Sequence, residues 1–165
     1  MYDNVVTTYS ITDDLLKAIG HCDDRRCLFS DAEVITTALC ASLYFGGYLE
    51  TSRSFMKQTG FMPRILSKPR FCRRLHKVEG LAVPLFHQVA WFFMQANAST
   101  RYLMDSFPVE FCDNIRISRC RLAQGEKYRG KCAAKRRYFY GVKVHIVTTE
   151  RGLPVEFAFL TWANK

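Results

Sequence analysis

Residues 102–109 read YLMDSFPV, residues 138–149 read YFYGVKVHIVTT, and residues 153–161 read LPVEFAFLT. All three are rich in β-branched and aromatic side chains, which pack well on a pleated surface, and this predicts strands. The first is expected to end at Pro108 and Val109, because proline cannot donate to a sheet ladder. Glu150-Arg151-Gly152 separates the last two runs, a short polar connection with glycine that predicts a β-hairpin.

Ahead of these runs the pattern is helical. Thr12 is read as the cap of a short helix through Ile19, ended by Gly20. Ser30 followed by Glu33 has the spacing of a capping box before EVITTALCASLYF, and Gly46-Gly47 stops that helix. A third helix is expected from Leu49 to Gln58. A fourth is expected from Ser67 through Val78, with Pro69 just inside its start. A fifth runs from Val83 to Ala96, within the apolar stretch Leu81–Ala96, and reads as a core helix too short to span a bilayer. The expected class is therefore α+β, with a helical domain at 1–98 and an antiparallel sheet domain at 99–165.

Charge divides the chain unevenly. Residues 1–50 hold eight acids and three bases, whereas residues 51–165 hold seven acids and 21 bases. Between Arg116 and Arg137 stand Arg116, Arg119, Arg121, Lys127, Arg129, Lys131, Lys135, Arg136 and Arg137, against the single acid Glu126. Tyr128, Tyr138, Phe139 and Tyr140 lie in or beside this segment. Cations that hold phosphates and rings that pack on bases or sugars are the two ingredients of nucleic-acid binding. Gly125 and Gly130 point to a loop rather than a helix. The alternative is a solvated insertion, and the scarcity of acids favours nucleic acid.

A second basic cluster has helical spacing. Arg70, Arg73, Arg74 and Lys77 fall at i, i+3, i+4 and i+7, which is one face of a helix. That face reads either as a second DNA surface or as an ordinary solvated one. On the 138–149 strand, alternation puts Lys143 and His145 on one face, so pairing with the Asp105 strand would bring them to the rim of a site there.

The seven cysteines (22, 27, 40, 72, 112, 120 and 132) form no C-x-x-C pair. An odd, scattered set without a secretory leader is expected of reduced thiols in a cytoplasmic protein.

Asp105 is the one acid within the 102–109 run. A carboxylate in such a strand is costly to bury unless it is paired, hydrogen-bonded or metal-bound. Beside a concentrated positive surface, it suggests phosphodiester chemistry. The segment from YLMDSFPV through CDNIRISRCRLAQGEKYRGKCAAKRRYFYGVKVH to GLPVEF resembles transposases of bacterial insertion sequences of the 982 group. SDAEVITTALCASLYFGG and LSKPRFCRRLHKV extend the resemblance towards the amino terminus.

That resemblance implies a helical N-terminal region followed by an RNase H-like catalytic domain, whose DDE triad holds two Mg²⁺ ions. It makes Asp105 the first acid of the triad and a metal ligand, and it makes double-stranded DNA, both element ends and target, the partner. Lys143 joins the basic segment as a DNA-binding residue. The second Asp and the Glu would lie beyond Thr161, where the chain instead reads WANK, so the expectation is a truncated copy that is inactive alone. The function the resemblance implies is DNA binding with metal-dependent strand cleavage and transfer in DNA transposition, here in a fragment. The alternative is a DNA-binding regulator or an inactive subunit without catalysis, beside itself or a full-length transposase, and no membrane partner is expected.

Overall fold

The computed structural model describes residues 1–132 and 136–162. The chain forms two compact units, Met1–Gln88 and Val89–Lys165. Their division falls inside the fifth helix, ahead of the expected limit at residue 98. The class is α+β, with helices first and an antiparallel sheet after them.

In the first unit α1 is Tyr2–Ala18, α2 Asp31–Tyr44, α3 Leu49–Gln58 and α4 Lys68–Val78. A 3₁₀ turn, Glu79–Leu81, then leads into α5, Ala82–Gln95. The capping box forms as expected. The Ser30 hydroxyl accepts from the Glu33 N–H at 3.1 Å, and the Ser30 N–H donates to Glu33 Oε2 at 2.6 Å.

Thr12 does not cap α1. The helix has already run for three turns, and the Thr12 hydroxyl instead donates to the Thr8 carbonyl at 2.7 Å. Val5, Thr12 and Leu16 are its buried side chains, so packing of one stripe carries the helix past the point where a local cap signal would start it.

The core of this unit gathers Val5, Phe29, Val34, Cys40, Met56, Met62, Phe71 and Val78. Phe29 and Phe71 meet edge to face with centroids 6.4 Å apart. Burying side chains of this size contributes roughly 1.5–3 kcal/mol each.

The expected core role of α5 is not met. Ala90 is its one buried residue among those described, while Val83, Trp91, Phe92 and Met94 are exposed. An apolar sequence favours burial but does not by itself supply a partner surface.

In the second unit β1 is Tyr102–Asp113, β2 Arg129–Cys132, β3 Arg137–Thr149 and β4 Pro154–Leu160. All pair antiparallel with β3. β1 lies along one side of it, and β2 and β4 share the other side at opposite ends. The β3–β4 hairpin closes through Gly152, whose φ of +79° suits glycine, with its N–H donating to the Thr149 carbonyl at 2.9 Å.

β1 does not stop at Pro108. It continues to Asp113 through a register shift between Glu110 and Cys112. β1 pairs on one side only, and an edge strand tolerates the missing N–H. The basic segment is more ordered than a loop. It contains 3₁₀ turns at Asn114–Arg119 and Glu126–Tyr128, followed by β2.

Candidate nucleic-acid interface

Strand register decides which side chains share a surface. Arg129 stands opposite Tyr140 and Lys131 opposite Tyr138, so these four point to one face of the sheet. The Arg129 guanidinium lies 5.0 Å from the Tyr138 ring centroid and the Lys131 ammonium 5.7 Å from it. Lys127 similarly sits 5.1 Å over Tyr128. Each ring holds a cation by its negative face. Among the described residues no carboxylate pairs with Lys127 or Lys131, whereas Arg129 also donates to Glu126 Oε2 at 3.4 Å, an exposed pair that a phosphate can replace.

Arg116, Arg119 and Arg121 are exposed in and just after the first 3₁₀ turn, and Lys127, Arg129, Lys131 and Arg136 are exposed as well. Lys135 was expected to join them and lies outside the described residues.

Arg137 is different. Its guanidinium bridges Glu110 and Asp113, tying the far end of β1 to the start of β3. It serves the sheet rather than an open surface. Sequence distance hid this pairing, because the partners are brought together only by the β1–β3 register.

Asp105 stands opposite Ile146 on β1, next to Ser106 opposite His145. Directly opposed residues share a face, so Asp105 lies with Leu103, Phe107, Val144 and Ile146. His145 and Lys143 project from the other face, with Lys143 opposite Pro108. Pairing of the two strands therefore occurs, and the expected rim at Asp105 does not form from these two residues.

Asp105 is exposed, and its Oδ1 accepts the Ser106 N–H at 2.7 Å. Exposure removes the burial cost that made this acid conspicuous in the sequence.

A two-cation centre needs several oxygen ligands around a space roughly 4 Å across. Among the described residues the one set of three or more suitable ligand groups within reach of each other is His21, Asp23 and Asp31, in the helical unit. Asp105 has no such companions, so the residues present around it do not fit a two-magnesium centre.

The helical set is an ion-pair knot. Arg74 donates to Asp31 and to the Cys27 sulfur, His21 Nε2 lies 3.0 Å from Asp31 Oδ2, and Asp23 Oδ1 accepts the Asp31 N–H at 3.0 Å. Burial works to raise the Asp31 carboxyl, but hydrogen bonds from Arg74 and His21 and the Arg74 charge outweigh it and hold the group below its ordinary value. Burial raises the Asp23 carboxyl, opposed by the hydrogen bond from the Asp31 N–H and reinforced by the Asp31 carboxylate.

This knot divides the expected α4 stripe. Arg70, Arg73 and Lys77 are exposed, whereas Arg74 is committed to the 21–31 connection. Arg53 is also committed internally. Buried in α3, it bonds Glu50 and the Leu66 carbonyl and lies 5.8 Å over Phe71. Its position between Ser52 and Ser54 gave no sign of this.

Trp162 was also missed as a structural residue. It meets Phe139 edge to face at 5.4 Å, and its backbone N–H donates to the Lys127 carbonyl at 2.8 Å. Gly130 lies beneath the indole, where any added Cβ would sit 2.5 Å from it. A side chain at 130 would displace the tryptophan.

Residues 95–165 match the family model described as Transposase DDE domain. The match supports a DDE-type transposase. It covers the whole sheet, with Asp105 and the cation-bearing tyrosines inside it. No curated protein and no solved structure matches the chain. Among the described residues, no single helix is long and apolar enough to cross a membrane.

Proposed function

We propose that the chain acts in DNA transposition as the DNA-holding part of an insertion-sequence transposase of the 982 group, with its sheet unit belonging to an RNase H-like domain. The observation that carries this reading is the row formed by Lys127, Arg129 and Lys131 on Tyr128 and Tyr138, inside the segment that matches the transposase domain. These cations neutralise phosphates while the rings hold them in place, which gives affinity with little base preference. Arg116, Arg119, Arg121 and Arg136 extend the positive surface, and double-stranded DNA of element ends and target is the ligand.

Asp105 is the acid this chain offers to a DDE carboxylate set, for which Mg²⁺ is the expected metal. One carboxylate does not hold two cations. Cleavage therefore requires acids from outside the described residues, and association with another transposase subunit would supply them. The solitary position of Asp105 also favours a second reading, a DNA-binding regulator or inactive subunit without catalysis. Either role places the protein in the cytoplasm with the DNA.

A Mg²⁺-dependent cleavage assay on DNA carrying the element's ends, with binding followed in the same samples, tests both readings. Binding without cleavage is expected of the chain alone. Cleavage that Asp105→Ala abolishes would show that a full carboxylate set assembles. Absence of binding would refute the reading itself.

A further inference from the structure

In the helical unit the turn at 26–29 and α4 enclose an open groove of about 480 Å³, lined by Arg26, Cys27, Leu28, Phe29, Leu66, Arg70, Arg73, Arg74 and Lys77. This volume is in the range of small-ligand sites, roughly 300–1,000 Å³. Two features set it apart from a solvated helix face.

The first is convergence of charge. Arg26 comes from the turn and faces Arg70, Arg73 and Lys77 from α4, and all four are exposed. Among the described residues, no carboxylate forms an ion pair with any of these four, while Arg74 is pinned by Asp31 and thereby fixes the turn against the helix. Arg74 is a positioning residue.

The second is the lining between the cations. Leu28 and Leu66 give it an apolar surface over the buried Phe29, and Leu28 is 74% exposed at the edge. A duplex backbone laid across the cations would leave that surface in water. A ligand with a phosphate and a flat, weakly hydrated ring fills both parts.

We propose that this groove seats an unpaired nucleotide of DNA, with its phosphate held by Arg26, Arg70, Arg73 and Lys77 and its base laid on Leu28 and Leu66. The proposal rests on the DNA-binding reading above and deepens it, because it assigns the helical unit to single-stranded DNA and the sheet unit to duplex. Cationic rims with a surface for the base are how sequence-tolerant single-strand sites work. An unpaired base avoids the unstacking cost that a paired one carries.

The test uses the full chain under reducing conditions, with a fluorescein-labelled 12-mer of thymidylate and a labelled 20-base-pair duplex as probes. Two neighbouring phosphate contacts are reversed in Arg70→Glu/Arg73→Glu. The single-strand affinity is expected to fall by at least about tenfold at low salt, and the duplex affinity by less than about threefold.

A second readout needs no variant. Cys27 lines the groove and Cys22 is exposed outside its lining, so the 12-mer is expected to slow iodoacetamide alkylation of Cys27 and not of Cys22 in peptide mass spectra. The duplex is expected to protect neither. Unchanged single-strand affinity in the variant, an equal loss for both probes, or an unprotected Cys27 would each overturn the nucleotide seat while leaving duplex binding by the sheet unit intact. Failure of the wild-type chain to bind either probe would overturn the DNA reading together with it.

Discussion

The division of labour between Arg137 and its basic neighbours is open to a direct measurement. Arg129 and Lys131 are exposed over one tyrosine, and the Glu126 partner of Arg129 is itself exposed and readily exchanged for a phosphate. Each phosphate contact contributes a slope of about 0.9 in log affinity against log salt, so Arg129→Gln/Lys131→Gln should flatten the slope by about 1.8. Between 50 and 200 mM salt, the wild type should then lose about tenfold more affinity than the variant.

Arg137→Gln should behave differently. It removes the bridge to Glu110 and Asp113, and after allowance for its partial exposure this costs about 1 kcal/mol and a few degrees in Tm. Its salt slope should match the wild type within about 0.3. Fluorescence anisotropy with a 20-base-pair duplex across a sodium chloride series gives the slopes, and thermal melts give the stabilities. An Arg137→Gln slope flattened by nearly one unit, with Tm unchanged, would refute the assignment.

Gly141→Ala should destabilise the sheet unit by about 1–3 kcal/mol in urea, because the new Cβ would overlap the Val109 carbonyl oxygen and sit 3.0 and 3.1 Å from Val109 C and Glu110 Cα. Wild-type stability in that variant would mean that β1 and β3 are not paired this way. Asp31, held below its ordinary value, contributes stability that is present above the unfolded value of about 3.9 and is lost as pH falls through its lower folded value. Asp31→Asn should therefore cost about 1–3 kcal/mol at pH 7 and progressively less in acid.

Asp23, raised in the fold, has the opposite sign. Its favourable contribution is confined to low pH and is lost as pH rises through the folded value, so Asp23→Asn should be neutral or stabilising at pH 7. Chemical denaturation at pH 7 and pH 3 separates the two, and equal costs for both variants at pH 7 would contradict the knot. Asp105→Ala should leave duplex affinity within about twofold in metal-free buffer, and a tenfold loss there would break the separation of carboxylate from DNA contact.

What could be read from the sequence followed the range of the forces involved. The capping box at Ser30 and Glu33 and the limits of α3 and α4 are set within one helical turn, and the structure has them where local chemistry puts them. The β3–β4 hairpin was legible for the same reason, since Gly152 and the flanking β-branched runs act over a few residues. The role of Thr12 was misread because a buried stripe extending back to Val5 overrides a cap signal.

Local chemistry makes Pro108 a strand end, whereas the one-sided pairing that lets β1 run through it is a tertiary fact. Arg74, Arg137 and the face occupied by His145 depend on partners or register far away in the chain. Composition marked these residues as basic or titratable without saying which charges were already spent.

Register also fixes how far the carboxylate is from the cations. β3 alternates without interruption, so Tyr138, opposite Lys131, and Ile146, opposite Asp105, point to the same face. They are eight residues apart, which at about 3.3 Å per residue is about 26 Å of strand. That exceeds the screening length of roughly 8–10 Å at ordinary salt by more than twofold, so the Asp105 charge neither repels DNA held at Tyr138 nor gains from the cations there. Between them the face carries Tyr140, with Arg129 opposite it, and then Val142 and Val144, flanked by Phe107 and Val109; from Tyr140 to Ile146 is still six residues, about 20 Å of strand. On the DNA-binding reading, DNA held at the tyrosines reaches Asp105 only through contacts beyond this strand pair, so substitutions at Asp105 and at the cations are expected to act independently.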